Sequence, residues 1–276
     1  MPTVALRGLV VFPGMGVTFD VGRTRSLQAI KAAMADDQKI FLVAQKDVRD
    51  DEPDIDRLFK IGTVAKISHI LRLPNSDTVR VSVDGISRAS LVDMLQSEPY
   101  LITDVKIRRE PAIRPDDKDY ATALVRQTKD YFEDYAEVVP QMPAEIILDV
   151  LEKNDPGELA DYIGSNIMLE YKKRQQILNE INPLKRLEKV CCMLANEGDL
   201  MKIENEINQR VQENIDKSQR EYYLNEQMKD PDFKKEWDEN EARYQLMMMV
   251  LRARNEEHLT HLSWRSAQGF GSLGKH

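Results

Sequence analysis

One long stretch of this chain is almost free of helix-breaking residues, and it constrains the fold more than any other feature. After Pro183 the next proline is Pro231, and the residues between them contain a single glycine, Gly198. Because proline and glycine disfavour a helix interior most strongly, the pattern predicts helix over most of this stretch. We expect Gly198 to end a helix of a small bundle and a separate long helix to cover 199–229.

The apolar residues of the long stretch follow a helical spacing, but not a regular heptad. They are separated by steps of 3, 4, 4 and 4 residues, at Leu200, Ile203, Ile207, Val211 and Ile215. A two-stranded coiled coil needs steps that alternate between 3 and 4. Each step of 4 rotates the row by about 40° around the helix. The spacing therefore favours a helix that packs on its own bundle at one end and projects beyond it.

Composition limits the classes of function that this chain can have. The 276 residues are 42% hydrophobic, enough for one or two folded cores and an extension, and the net charge is −8. An acidic chain of this kind is not expected to bind nucleic acid non-specifically. The sequence shows neither a secretory leader nor an apolar run of about 18 residues, so we expect a cytoplasmic protein with no membrane contact.

Residues 1–109 have the patterns of a β domain with one helix. Helical spacing covers 24–36, with Thr24 as the expected N-cap, and turn signals occur at 13–16, 74–77 and 84–85. Short apolar or alternating runs predict strands at 4–6, 17–21, 39–44, 61–70, 78–83, 86–92 and 101–107. We therefore predict a compact, partly closed and mostly antiparallel sheet.

The rest of the chain predicts helices, which makes the fold class α+β. Two prolines and several charges indicate a linker at 110–118, followed by a four-helix bundle subdomain over 119–198. Asp155-Pro156 has the composition of a helix start, with aspartate as the cap and proline at the first helical position. The adjacent Cys191 and Cys192 fit two small helix residues better than a metal or redox site.

Seven segments resemble, in order and in spacing, the amino-terminal region of the bacterial Lon ATP-dependent proteases. The resemblance extends over residues 3–229, and it departs from the family at Gly8, where an acidic residue is usual, and at Gly198. The segments that carry it are LRGLVVFPGM at 6–15, VGR at 21–23, KIFLVAQKD at 39–47, IGTVA at 61–65, VDGISRA at 83–89, DPGELAD at 155–161 and QREYYLNEQMK at 219–229.

The resemblance implies a PUA-like β domain, then a helical subdomain that leads to a long helix. It further implies that this region recognises unfolded or damaged protein substrates and supports assembly with itself or with other Lon subunits. In the family, ATP and magnesium are used by a separate ATPase module, and a serine–lysine pair cleaves peptides in a third module. We therefore expect no catalytic, cofactor or metal residue in this chain. The alternative is a complete or partial ATP-dependent serine endopeptidase.

Apolar residues in three places are the candidate contacts for substrate or for a second subunit. They lie in the first turn, near the tip of the hairpin predicted around the turn at 74–77, and at the end of the long helix. These residues are Phe12, Pro13, Met15, Leu71, Leu73, Pro74, Tyr222, Tyr223 and Leu224.

The segment 230–276 does not resemble the family. We expect one short amphipathic helix over 234–256 and partial disorder. The sequence from Gly269 to Lys275 fits a phosphate-binding loop, but His276 stands where serine or threonine should bind magnesium. The histidines at 258 and 261 stand three positions apart and have no cysteine partner, so no metal site is expected. A truncated or frame-shifted gene and a natural stand-alone variant both account for the change in pattern.

Overall fold

The computed structural model of this chain describes residues 1–51, 53–72, 78–139 and 142–256. They fall into an amino-terminal unit, residues 1–205, and a carboxyl-terminal unit that begins at residue 206. Among the described residues, no helix combines the length and the apolar character that a membrane span requires.

The first part of the amino-terminal unit is a six-stranded sheet with one helix, α1, at Thr24–Ala35. The strands run in the order β1-β3-β4-β5-β2, and β6 also pairs with β5. β1 and β3 are parallel, while every other named pair is antiparallel. The strands are β1 at Thr3–Leu6, β2 at Gly16–Val21, β3 at Lys39–Ala44, β4 at Ile61–Arg72, β5 at Val79–Gln96 and β6 at Ile102–Ile107. The predicted mostly antiparallel domain with one helix is confirmed.

Bonds between the chain start and β6 bring the two ends of the sheet together. Thr3 donates its backbone N–H to the Leu101 carbonyl at 2.9 Å, and Thr103 donates to the Met1 carbonyl at 3.1 Å. The Thr3 and Thr103 hydroxyls lie 2.7 Å apart and are buried. One apolar core lies among β1, β3, β4, β5 and β6, and α1 covers a second core that β2 shares. The predicted partial closure therefore arises between β1 and β6.

The turn predicted at Asp84-Gly85 is wrong, because β5 runs without interruption through both residues. Gly85 instead allows the backbone of the first turn to approach the strand. A Cβ atom at this position would lie 2.1 Å from the carbonyl oxygen of Phe12. Glycine inside a strand often marks such a close approach, and the sequence pair Asp-Gly does not distinguish it from a turn.

Four helices follow the sheet, as predicted: α2 at Lys118–Val138, α3 at Ala144–Glu152, α4 at Pro156–Asn166 and α5 at Tyr171–Asn179. Asp155 caps α4, since its carboxylate accepts the N–H of Glu158 at 2.9 Å. The whole apolar face predicted for α2 is buried: Ala121, Leu124, Val125, Thr128, Phe132 and Tyr135. Buried residues of α4, α5 and α6 complete this helical core.

Helix α6 runs continuously from Pro183 to Gln227, so the expectation that Gly198 separates two helices is wrong. One glycine costs a helix interior only about 1 kcal/mol relative to alanine, which a helix of 45 residues tolerates. α7, at Pro231–Glu256, begins three residues before the predicted start at 234. In the carboxyl-terminal unit, the rings of Phe233 and Trp237 stack with centroids 6.0 Å apart.

Candidate functional site

An open cleft of about 520 Å³ lies beside the first turn of the chain. The turn and Ile86 of β5 supply its apolar wall, while the opposite wall is charged and includes the beginning of α4. We call it the turn cleft, and its lining consists of Pro13, Gly14, Met15, Ile86, Glu110, Lys153, Asp155, Gly157, Glu158 and Asp161.

Hydrogen bonds to Gly85 hold the turn against β5. Gly14 donates its N–H to the Gly85 carbonyl, and Gly85 donates its N–H to the Met15 carbonyl, both at 2.9 Å. Gly14 has a φ of +74°, a conformation that glycine adopts without strain. The turn leaves Pro13 and Met15 half-buried, and Ile86 keeps 48% of its surface exposed. The apolar wall is therefore open to solvent but fixed in position.

Four charged side chains, three of them buried, form an ion network behind the cleft. Arg88 of β5 donates through Nη1 to Asp161 of α4 at 2.8 Å and to Glu110 at 3.1 Å. Arg186 of α6 donates through Nη2 to Glu110 at 2.6 Å, and its Nε lies 3.1 Å from Asp161 Oδ1. Both arginines and Asp161 are buried. The network joins the sheet to two helices, which fixes the two walls of the cleft relative to each other.

The network is balanced in charge, but the rim of the cleft is acidic. Two arginines offset Asp161 and Glu110 within the network. The remaining charged lining residues are Asp155, Glu158 and Lys153, with a net charge of −1. The described lining contains no serine, cysteine or histidine. The cleft therefore combines an apolar wall with an acidic rim, which complements apolar and basic groups.

Two close contacts shape the charged wall. Gly157 lies so close to the network that a Cβ atom would be 2.7 Å from both Arg186 Nη2 and Glu110 Oε2. Lys153 lies over the ring of Tyr162, with Nζ 5.0 Å from the centroid. Burial, and then a hydrogen bond to Asp149, raise the pKa of Tyr162 to about 12, so this hydroxyl remains protonated at neutral pH.

Of the candidate contact residues, the structure places Pro13 and Met15 in the cleft. Phe12 is only 1% exposed, because it packs in the helical core, and so it cannot belong to an exposed contact surface. This finding corrects the prediction for Phe12. Leu71 is exposed on β4 but does not line the cleft, and Leu73 and Pro74 lie outside the described residues.

The remaining candidates belong to the carboxyl-terminal unit. Tyr222 and Tyr223 are exposed, and Leu224 is half-buried. The two tyrosine rings contact each other edge to face, with centroids 6.1 Å apart. Their role as a contact for substrate or for another subunit stays a prediction.

Sequence reasoning missed Ile86 and the charged wall of the cleft. Ile86 and residues 155–161 fall within two of the segments that carry the family resemblance, which was the available signal. Arg88 shares the segment 83–89 with Ile86, whereas Arg186 lies in none of these segments and gave no signal, because an isolated arginine in a sequence is usually exposed.

No metal site is found among the described residues, where no three His, Cys, Asp or Glu side chains are grouped to hold an ion. The phosphate-loop pattern at 269–275 and the histidines at 258, 261 and 276 lie outside the part of the chain that the structure describes. The predicted absence of a site at those positions stays a prediction.

Comparisons with known proteins point to a single family. The family model of the ATP-dependent protease La (LON) substrate-binding domain matches residues 1–196. Lon protease of Brevibacillus choshinensis is 38% identical over 229 residues, and Lon protease 1 of Bacillus subtilis (strain 168) is 40% identical over 230 residues. Each alignment covers 83% of this chain but only 29% of the relative.

A solved structure shares the fold. The N-terminal domain of the Mycobacterium avium complex Lon protease aligns with a TM-score of 0.58 at 23% identity. The alignment covers 70% of this chain and 97% of that domain.

Proposed function

Because this chain belongs to the Lon substrate-binding domain family, we propose that it binds unfolded or damaged polypeptides at the turn cleft for a Lon-type ATP-dependent protease. One observation carries the proposal: an apolar wall that is open to solvent faces an acidic rim. A folded protein buries most of its apolar side chains, so such a wall is selective for segments that a folded client would hide. The acidic rim favours segments in which apolar residues alternate with lysine or arginine.

The size of the cleft sets the expected strength of binding. Burial of apolar surface contributes about 25 cal/mol per Å², and Pro13, Met15 and Ile86 offer only a small area. A single cleft is therefore expected to bind weakly. Several copies on one assembly would raise the overall affinity without any new contact. We accordingly propose that the chain associates with copies of itself or with other Lon subunits, and light scattering of the purified chain tests the self-association by its mass in solution.

A binding titration with matched variants tests the site. The probe is a fluorescently labelled, reduced and carboxymethylated polypeptide that cannot fold, and its anisotropy is followed as the chain is added. We expect Ile86→Asp to weaken binding about tenfold or more, because it places a charge on the apolar wall. Val92→Asp is the control, since Val92 lies on the same strand, is similarly exposed and does not line the cleft.

Two results would contradict the proposal. The first is an absence of binding by the unchanged chain even at high concentration. The second is an equal loss of affinity in both variants, which would mean that charge anywhere on this unit, rather than the cleft, governs capture.

A further inference from the structure

Two adjoining cavities lie at the beginning of α1, and they share no lining residue with the turn cleft. Their volumes are about 340 Å³ and 220 Å³, and both are lined by Ala5, Arg23 and Ser26. The larger cavity has an apolar wall formed by side chains of β1, β2 and the loop between them: Val4, Leu6, Leu9, Phe19 and Val21.

The first turn of α1 carries backbone donors that no side chain caps. Thr24 was predicted as the N-cap, but the structure places Arg23 there and Thr24 at the first helical position, which corrects that prediction. An arginine side chain has no acceptor atom, so it cannot cap the helix. Within the described chain, the N–H groups of Thr24 and Ser26 have no acceptor. The positive end of the helix dipole is therefore open.

The side chain of Ser26 is an independent sign that this place binds a ligand. Ser26 is only 8% exposed, and its hydroxyl has no hydrogen-bond partner among the described residues. Its oxygen is not one of the buried side-chain atoms that lack a partner, so a molecule in the cavities can reach it. Because Ser26 lines both cavities, its free hydroxyl can be satisfied by a molecule that enters them.

Arg23 supplies a charge that no carboxylate offsets in the described part of the chain. It is half-buried, and it donates to the Gln45 amide oxygen and to the Asp50 backbone carbonyl, both neutral acceptors at 2.8 Å. The carboxylates nearby pair with other arginines: Asp51 with Arg7, Asp20 with Arg80, and Asp50 with Arg57 through Oδ1, while Asp50 Oδ2 is buried without a hydrogen-bond partner.

We propose that the beginning of α1 binds a carboxylate that is joined to an apolar group. One unpaired guanidinium, one hydroxyl and two backbone N–H groups match a single negative charge with several acceptor sites. A phosphate dianion would be only half neutralised. The apolar wall of the larger cavity would accommodate the attached group. Both the carboxyl terminus of a peptide and a glutamate or aspartate side chain offer this chemistry.

Three labelled peptides distinguish the two sources of the carboxylate. They share a short apolar sequence and carry at the amino end a dansyl label, which has no carboxylate: one has a free carboxyl terminus, one is amidated, and one is amidated with glutamate at its last position. We expect the fully amidated peptide to bind at least tenfold more weakly than the free acid. If the glutamate peptide matches the free acid, the side-chain source is supported; if it matches the amide, the terminal carboxylate is supported.

Variants connect the binding to the named groups. Arg23→Gln and Ser26→Ala should each weaken binding of the free acid, by about tenfold and several-fold respectively. Arg114→Gln removes one positive charge from an exposed linker residue and should leave binding unchanged. Ser26→Ala removes no described hydrogen bond, so it tests the site even if Arg23→Gln disturbs the loop that Arg23 supports.

Equal binding of the free acid and the fully amidated peptide to the unchanged chain would overturn the proposal, whatever the variants do. Stronger competition by inorganic phosphate than by acetate would overturn the assignment to a carboxylate. Because these probes bear no basic residue and the site shares no residue with the turn cleft, failure here would leave the proposed function untouched.

Discussion

Replacing Asp161 with asparagine would remove the negative charge at the centre of the buried ion network while keeping the size of the side chain. Arg88 and Arg186 would then share Glu110 alone, whose side chain is 38% exposed. Two almost fully buried positive charges would face one partly solvated carboxylate. Breaking a buried ion pair by removing one partner typically costs about 3–5 kcal/mol. Whole domains are stable by only about 5–15 kcal/mol, so this loss should be plain in an unfolding curve.

Urea unfolding followed by circular dichroism measures the loss. The control is Asp20→Asn, because Asp20 accepts two bonds from Arg80 at 2.7 and 3.0 Å but both side chains are about half exposed. Solvent screens such a pair, so its loss should shift the curve much less. If Asp161→Asn and Asp20→Asn shift the curve equally, the network does not hold the sheet to the helices as argued.

A triple variant separates charge from packing. Arg88→Met, Asp161→Leu and Arg186→Met together replace the ions with apolar side chains of similar length. Replacing a complete buried ion network in this way is often neutral or stabilising. We expect the triple variant to be markedly more stable than Asp161→Asn alone. If the triple variant instead loses more unfolding free energy than Asp161→Asn, the hydrogen bonds of the network contribute more to stability than the unpaired charge costs.

Further predictions concern two glycines and two cysteines. Gly85→Ala should destabilise the fold by about 1–3 kcal/mol or more, because its Cβ would meet the Phe12 carbonyl. Gly198→Ala should stabilise α6 by up to about 1 kcal/mol, because its Cβ would meet nothing within 4 Å. Urea unfolding curves check both, and a stabilised Gly85→Ala or a destabilised Gly198→Ala variant would contradict the prediction for that residue. Burial raises the pKa of the Cys191 thiol and so lowers its thiolate fraction, whereas Cys192 is exposed. Iodoacetamide at pH 8 should therefore add one label to the native chain and two after unfolding, as counted by mass spectrometry, and two rapid native additions would refute the burial of Cys191.

The parts of the fold that follow from apolar periodicity could be predicted from the sequence. The face of α2 was predicted residue by residue because burial repeats at helical spacing along one element. β3 was predicted with its bounds at Lys39 and Ala44 for a similar reason, since a continuous apolar run fits a buried strand. In both elements the deciding signal is local.

The misses depend on contacts between distant residues. Gly85 allows a close approach of the Phe12 backbone, which lies 73 positions earlier. The local pair Asp-Gly gives no sign of that contact and suggested a turn instead. Arg88 and Asp161 also lie 73 positions apart, and neither predicts its partner. Phe12 is apolar in either setting, so its residue type could not show whether it lies in the core or on the surface. Only part of the cleft was therefore accessible to sequence reasoning.

The turn cleft draws its lining from residues 13–15, from 86 and 110, and from 153–161, so no short segment of the chain contains it. Any ligand that occupies the cleft binds only the state in which sheet and helices are joined, and by mass action it stabilises that state. Under the proposed function, capture of a client and the integrity of the fold thus become one equilibrium. A substitution that loosens the join should release clients without touching a lining residue, and a bound client should protect the join against heat, urea and proteases.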